Sequence, residues 1–144
     1  MALLSNTGIR AGASGGSPEI TYSDDVTASA GFNGANVATS MFDGSLSTKC
    51  EPSDDSTVTW DAENGSSGYL DVSSFEVYVA GAGSVQAGDF TVNGTDYGDS
   101  VGSAAWLSLS GVTRFNNATW YHRSGLSAVE VYAWKSDGVI LTDP

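Results

Sequence analysis

The sequence of 144 residues is poor in the residue types that most reaction centres need. It has one cysteine, Cys50, and one histidine, His122. A lone cysteine forms neither an intrachain disulfide nor a cysteine-cluster zinc site, and we expect it to be a small buried residue. The spacing of the acidic residues also selects no carboxylate pair. We therefore predict that the protein is not an enzyme.

Basic residues are also scarce. Lys and Arg together number 5 against 17 Asp and Glu, which gives a net charge of −12. Binding to a phosphate backbone or to an anionic membrane rests on clustered positive charge. We therefore expect neither nucleic acid nor a membrane surface among the partners, and we interpret the acidity as that of a soluble, exposed module.

Long apolar runs are missing as well. No stretch approaches the 18 apolar residues of a membrane-spanning helix, and the N-terminus has no basic region followed by an apolar run. We expect no signal peptide and synthesis in a host cytoplasm. No window has the spacing of an amphipathic helix, whereas 18 glycines and many Ser, Thr, Asp and Asn residues suit short strands joined by tight turns.

Alternating side chains and turn residues predict about eight short strands. The clearest is 74–80, and Asn93-Gly94 is a strong signal for a two-residue hairpin. We also predict a first strand from Glu19 to Tyr22 and a helical turn capped by Asn36. The pattern favours an all-β fold, an antiparallel β-sandwich or jelly roll, over residues 19–144. Residues 1–18 are rich in Gly and Ser and are predicted to form a flexible anchoring arm.

A short loop, residues 41–50, carries the most informative polar pattern. Asp43 is followed by Gly44, which can adopt the positive φ of a tight turn. Thr48, five residues after Asp43, can return its hydroxyl to the same carboxylate. We expect the loop to fold back on itself around Asp43.

The same residues carry a resemblance to a family. Asn36-Val37-Ala38 leading to Phe42-Asp43-Gly44 and Thr48, with Ser127-Ala128-Val129-Glu130 near the C-terminus, resembles discoidin-type, galactose-binding-like β-sandwiches, many of which bind carbohydrate. Cys50 stands where these domains usually have tryptophan. The resemblance implies a structural calcium bound by Asp43, Thr48 and Glu130, which is chemically reasonable because calcium prefers hard oxygen ligands. The alternative is that Asp43 caps the loop and that Glu130 pairs with Lys49 or Arg123.

Two further segments resemble structural proteins of tailed phages. One is the arm, with the run Ser5-Asn6-Thr7-Gly8-Ile9-Arg10-Ala11-Gly12, in which Asn6, Thr7, Gly8, Ile9 and Arg10 are the predicted anchoring residues. The other is the C-terminal hairpin from Ala128 to Pro144. This resemblance implies a virion protein whose partners are other capsid or tail proteins and copies of itself.

Aromatic and polar residues near strand ends form the predicted ligand or partner surface. On the last long strand we expect the aliphatic side chains to point inward and the aromatic ones to lie on the other face, either exposed or covered by a neighbouring subunit. A role in the core is the alternative. The predicted surface residues are Trp106, Trp120, Tyr121, His122, Arg123, Tyr132 and Trp134.

Together these observations favour a non-enzymatic structural protein of a phage particle, either a capsid decoration protein or a tail component. The alternative is a carbohydrate-binding module of a tail fibre or a secreted protein, which would bind glycans through the same aromatic residues.

Overall fold

The computed structural model describes residues 20–144, and the predicted all-β fold is confirmed for them. The described residues contain no α-helix, only three short 3-10 helices, Tyr22–Asp25, Ala38–Met41 and Gly98–Ser100. The predicted arm, residues 1–18, and Glu19 lie outside the described residues. The strands are β1 (Val26–Ala28), β2 (Thr57–Asp61), β3 (Leu70–Asp71), β4 (Phe75–Gly83), β5 (Phe90–Val92), β6 (Thr95–Asp96), β7 (Ala105–Ser108), β8 (Arg114–Phe115), β9 (Asn117–Arg123), β10 (Ser127–Ser136) and β11 (Val139–Ile140).

Nine of these strands are joined by antiparallel pairing, and β3 and β8 form a separate ribbon. In the first layer, β9 lies between β2 and β5, with β1 and β6 at the edges. In the second layer, β4 lies between β7 and β10, and β11 adds to β10. The layers share only the β9–β10 hairpin, where Arg123 pairs with Ser127 and His122 with Ala128. The continuous sheet therefore folds over into a β-sandwich.

Alternation along the strands places the core between the two layers. Val58 and Trp60 of β2 are buried, while their neighbours in sequence are partly exposed. Val77 and Val79 of β4 are buried in the same way from the other side. Aromatic rings fill the centre, namely Phe42, Trp60, Phe75, Phe90, Phe115, Trp120 and Trp134.

A β-bulge in β10 corrects the prediction for Trp134. The pairing of β10 with β4 shifts register between Val131 and Ala133, so Tyr132 has no partner on β4. One extra residue reverses the alternation, since the side-chain period of a strand is two. Tyr132 therefore stays on the outer face, whereas Trp134 turns inward and is 0% exposed. Trp120 on β9 is likewise 0% exposed, so neither tryptophan belongs to the predicted surface.

Two local predictions near the start of the domain are wrong. Tyr22 begins a 3-10 helix rather than ending a strand, and its ring packs against Phe42 and Trp60. Asn36 does not cap the short helix, whose N-cap is Val37 with no side-chain hydrogen bond. The Asn36 side chain donates instead to Glu51, at 3.1 Å. In both places a tertiary contact overrides the local preference.

The predicted hairpin between β5 and β6 is confirmed. Asn93 and Gly94 have φ of 52° and 79°, the positive values that a type I′ turn requires. The Asn93 side chain also accepts from the amide of Asn116 at 2.7 Å and donates to the Arg114 carbonyl at 2.7 Å. The turn therefore also ties the hairpin to the strand that precedes β9.

Within residues 20–144, no helix has the length and apolar character to cross a bilayer.

Candidate functional site

The outer face of the second layer carries three aromatic residues in a row, one from each of three neighbouring strands. Trp106 of β7 lies opposite Tyr78 of β4, with 5.3 Å between ring centroids. Tyr132, at the bulge of β10, lies on the other side of Tyr78 at 5.6 Å. All three side chains are partly exposed. We call Trp106, Tyr78 and Tyr132 the aromatic face.

The rings of the aromatic face are perpendicular rather than coplanar. Tyr78 meets Trp106 at 73° and Tyr132 at 89°, which are edge-to-face contacts of the kind that aromatic pairs favour. The row therefore presents ring faces next to ring edges. Such a surface fits a partner with an uneven surface better than a flat ligand.

One end of the aromatic face is bordered by Lys135. Its ammonium lies 4.1 Å from the centroid of the Trp106 ring and 3.8 Å from the Glu76 carboxylate. Both charged residues are partly exposed, so we expect the ion pair to contribute little to stability. The cation–π contact covers one face of Trp106 and fixes the orientation of the lysine.

The other end is bordered by a partly buried cluster of charges. Lys49 Nζ donates to Glu130 Oε2 at 2.5 Å and lies 3.5 Å from Glu51 Oε1. Burial alone lowers the pKa of Lys49, but the hydrogen bond and charge of Glu130, with Glu51, outweigh it and raise the pKa. Tyr132 donates to Glu130 at 3.3 Å, and burial together with the negative charge of Glu130 raises the pKa of the phenol.

The loop that leads into this cluster folds as predicted. Asp43 accepts from the Ser45 amide at 2.9 Å and from the Thr48 hydroxyl at 2.6 Å, and Gly44 has a φ of 82°. Cys50 at the end of the loop is fully buried, as expected. Its backbone forms a bridge with Val131, and burial followed by the charge of Glu51 raises the pKa of the thiol.

The three predicted calcium ligands are engaged with other groups. Asp43 and Thr48 bond to each other, and Glu130 binds Lys49, which is the pairing that the alternative expected. Among residues 20–144, no three His, Cys, Asp or Glu side chains lie together in a way that could hold a metal ion. The Asp43 and Glu130 oxygens match the chemistry of calcium, but Glu130 would have to leave Lys49 to bind it. The calcium site stays a prediction.

The predicted polar residues at the end of β9 are each held by an acidic partner. Arg123 forms a bidentate ion pair with Asp89, with Nε 3.0 Å from Oδ2 and Nη2 2.9 Å from Oδ1. The Asp89 residue is only 1% exposed. His122 Nε2 lies 3.0 Å from Asp54, and Tyr121 donates to Asp55 at 3.2 Å. This arrangement joins three loops at one end of the sandwich. It leaves few free hydrogen-bonding groups there for a ligand.

A shallow groove of about 290 Å³ lies beside this network. His122 and Glu51 contribute its polar groups, and the exposed Leu126 contributes apolar surface. His122 uses both ring nitrogens within the protein, since Nδ1 lies 3.0 Å from the Pro52 carbonyl oxygen. The groove is therefore a weaker candidate than the aromatic face.

Sequence reasoning named two members of the aromatic face, Trp106 and Tyr132, but missed Tyr78. Tyr78 lies on the partly exposed side of the alternating strand β4, and only the strand order puts it between the other two. The predicted anchoring residues Asn6, Thr7, Gly8, Ile9 and Arg10 lie outside the described residues.

Comparisons with protein-family models, with curated proteins and with solved structures give no match to this chain.

Proposed function

We propose that this protein is a non-enzymatic structural component of a tailed-phage particle, a capsid decoration protein or a tail component, and that it contacts a neighbouring particle protein through the aromatic face. The observation that carries the proposal is the row of Trp106, Tyr78 and Tyr132 on an otherwise strongly acidic chain. Partly exposed aromatic residues are enriched at protein interfaces and supply much of their binding energy.

The charges around the aromatic face support a protein partner. Each of the four basic residues that the structure describes is paired with a carboxylate: Lys49, Arg114, Arg123 and Lys135. With an excess of acidic groups elsewhere, a partner of like charge is repelled over most of the surface. At the aromatic face, contact is made mainly through uncharged rings, so desolvation there costs least.

A second candidate function is carbohydrate recognition, which the groove beside His122 favours. The aromatic face suits it less, because perpendicular rings cannot together stack on one extended sugar chain and because Lys135 covers part of Trp106. A glycan would instead be bound at the groove. His122→Ala would then weaken glycan binding, and Tyr132→Ala would leave it unchanged.

The test of the proposal measures how much of the protein is incorporated into phage particles produced from the genome that encodes it. We expect Tyr132→Ala to lower incorporation at limiting expression by about tenfold or more, since truncation of an aromatic anchor typically costs about 2 kcal/mol. Tyr69→Ala is the matched control, because Tyr69 is an exposed tyrosine, 48% accessible, that stacks on Arg114 away from the aromatic face. Equal incorporation of the two variants would contradict the proposal.

The arm is tested separately by deletion of residues 1–18. The structural role predicts loss of the protein from particles, whereas a carbohydrate-binding module would keep its affinity for glycans. Unchanged incorporation would show that the arm is not an anchor.

A further inference from the structure

One edge of the sandwich lacks the features that usually protect a β-sheet edge. β7 is the outermost strand of the second layer and pairs only with β4. It lies within residues 100–113, a run without a charged residue or a proline, and the nearest charged residues in sequence are Asp99 and Arg114. Proteins commonly protect open edges with charges, prolines or bulges.

The other edge strands of the two layers differ in this respect. β1 directly follows Asp24 and Asp25, and β6 contains Asp96. β11 lies between Asp137 and Asp143. In a protein of net charge −12, these acidic residues repel a second acidic strand. Within the two described layers, β7 is the edge without such a barrier.

The backbone of β7 has hydrogen-bonding groups that point outward. Leu109 donates its amide to the Phe75 carbonyl at 2.9 Å, and antiparallel pairing alternates from residue to residue. Leu107 therefore points its N–H and C=O groups toward β4, and Trp106 and Ser108 point theirs away from it. Within residues 20–144, no hydrogen bond is formed by the backbone groups of Trp106 or Ser108.

We infer that β7 pairs antiparallel with β7 of a second copy of this chain. The backbone groups of Trp106 and Ser108 would hydrogen-bond across a two-fold axis, and the two second layers would form one sheet. A second copy is the occupant that the edge itself fits, because the outward groups of Trp106 and Ser108 face their own equivalents when a copy pairs antiparallel about Leu107. Like charges repel the two chains over the rest of the surface, and β7 has no charged residue to add to that repulsion.

The pairing also continues the aromatic face. Trp106 is the outermost residue of the aromatic face and lies on β7 itself. The aromatic faces of the two copies therefore meet where the two β7 strands pair, a contact that we call the seam. A seam of about four residues buries less than the roughly 1,600 Å² of a standard interface, and we therefore expect a weak dimer, on the order of micromolar to tens of micromolar. The inference is independent of attachment to a particle, since the seam uses backbone groups that the aromatic side chains do not.

The test is sedimentation equilibrium of the full chain from about 1 to about 500 µM. Ser108→Pro removes an outward N–H that β4 does not use, and proline is tolerated on edge strands. We expect it to raise the dimer dissociation constant by about tenfold or more, because the symmetric contact loses two hydrogen bonds. Ser108→Ala keeps the N–H and should leave the constant within about twofold.

Ser108→Lys covers the case in which the proline variant does not fold. Ser108 lies opposite Glu76, so a lysine there has a partner within the chain but brings two like charges together at the seam. We expect a monomer with a normal circular dichroism spectrum. The inference is overturned if the wild-type chain remains monomeric over the whole range, or if folded Ser108→Pro or Ser108→Lys dimerises like the wild type.

Discussion

The two outer faces of the sandwich are built from different residues. The first layer presents a row of threonines that lie opposite one another on four strands, Thr27, Thr59, Thr119 and Thr91. The second layer presents the aromatic face. Threonine is small and hydroxylated, and it suits a strand whose outer side is solvated, whereas Trp and Tyr rings leave a large apolar area that a partner can cover.

The contacts within the two rows differ in the same way. Thr91 and Thr119 share a hydrogen bond of 2.6 Å, so their hydroxyl groups are satisfied within the sheet. In the aromatic face the polar groups lie at the margins, at Lys135 and at the cluster of Lys49 and Glu130. Under the proposed function, the threonine face stays in contact with solvent and the aromatic face is covered by a partner.

The largest loss of stability is expected for a substitution of Trp134, in comparison with Tyr132 on the same strand. Trp134 contacts the rings of Trp60, Phe75 and Trp120 in the core, so Trp134→Ala should lower the free energy of unfolding by about 3–5 kcal/mol. Tyr132→Ala, two residues away on the outer face, should cost about 1 kcal/mol or less. Urea unfolding of both variants gives the comparison. Similar losses would mean that the bulge does not separate core from surface.

Asp43→Ala should lower the free energy of unfolding by about 1 kcal/mol, because the Ser45 amide and the Thr48 hydroxyl lose their acceptor. This loop contains Lys49, so the substitution tests what holds the lysine at that margin of the aromatic face. If calcium contributes, a chelator will lower the melting temperature of the wild type and not that of the variant. An equal response of both proteins would leave capping as the explanation.

Stability should fall at alkaline pH because of Cys50 in the core, Tyr132 in the aromatic face and Lys49 at its margin. The folded-state pKa values of Cys50, Tyr132 and Lys49 are all raised above ordinary values of 9.0, 10.0 and 10.5. A raised folded pKa gives stability that is complete below the unfolded value and is lost as pH rises through the folded value. Melting temperatures from about pH 8 to about pH 11 should therefore decline above about pH 9.

Tyr132→Phe should reduce the alkaline decline. Tyr121→Phe in the first layer is the control, because that tyrosine lies in a solvent-accessible position and should contribute less. If Tyr121→Phe reduced the alkaline loss of stability more than Tyr132→Phe did, the loss would arise in the first layer, which would contradict the assignment to Tyr132.

The smallest effect is expected in the threonine row. Thr59→Ala should cost about 0.5 kcal/mol, the size of one cross-strand pair, and should leave incorporation into particles unchanged. A loss of incorporation without a loss of stability would assign the contact to the first layer instead.

Much of the fold could be predicted because it is encoded locally. The alternation around Val77 and the Asn93-Gly94 turn act over a few residues, and the fold of the Asp43 loop depends on contacts within the loop. The position of Trp134 could not be predicted, since a bulge depends on how β10 meets β4. Tyr78 became part of the candidate surface only through the order of the strands.

The central claim is that the aromatic face, and not the threonine row, is covered in the assembled particle. Hydroxyl-radical footprinting of the free protein and of purified particles tests it directly. Tyr132 in the second layer and Tyr121 in the first layer are a matched pair, since both are partly exposed tyrosines. We expect Tyr132 to become protected on the particle while Tyr121 stays reactive. Protection of Tyr121 with an unchanged Tyr132 would contradict the assignment.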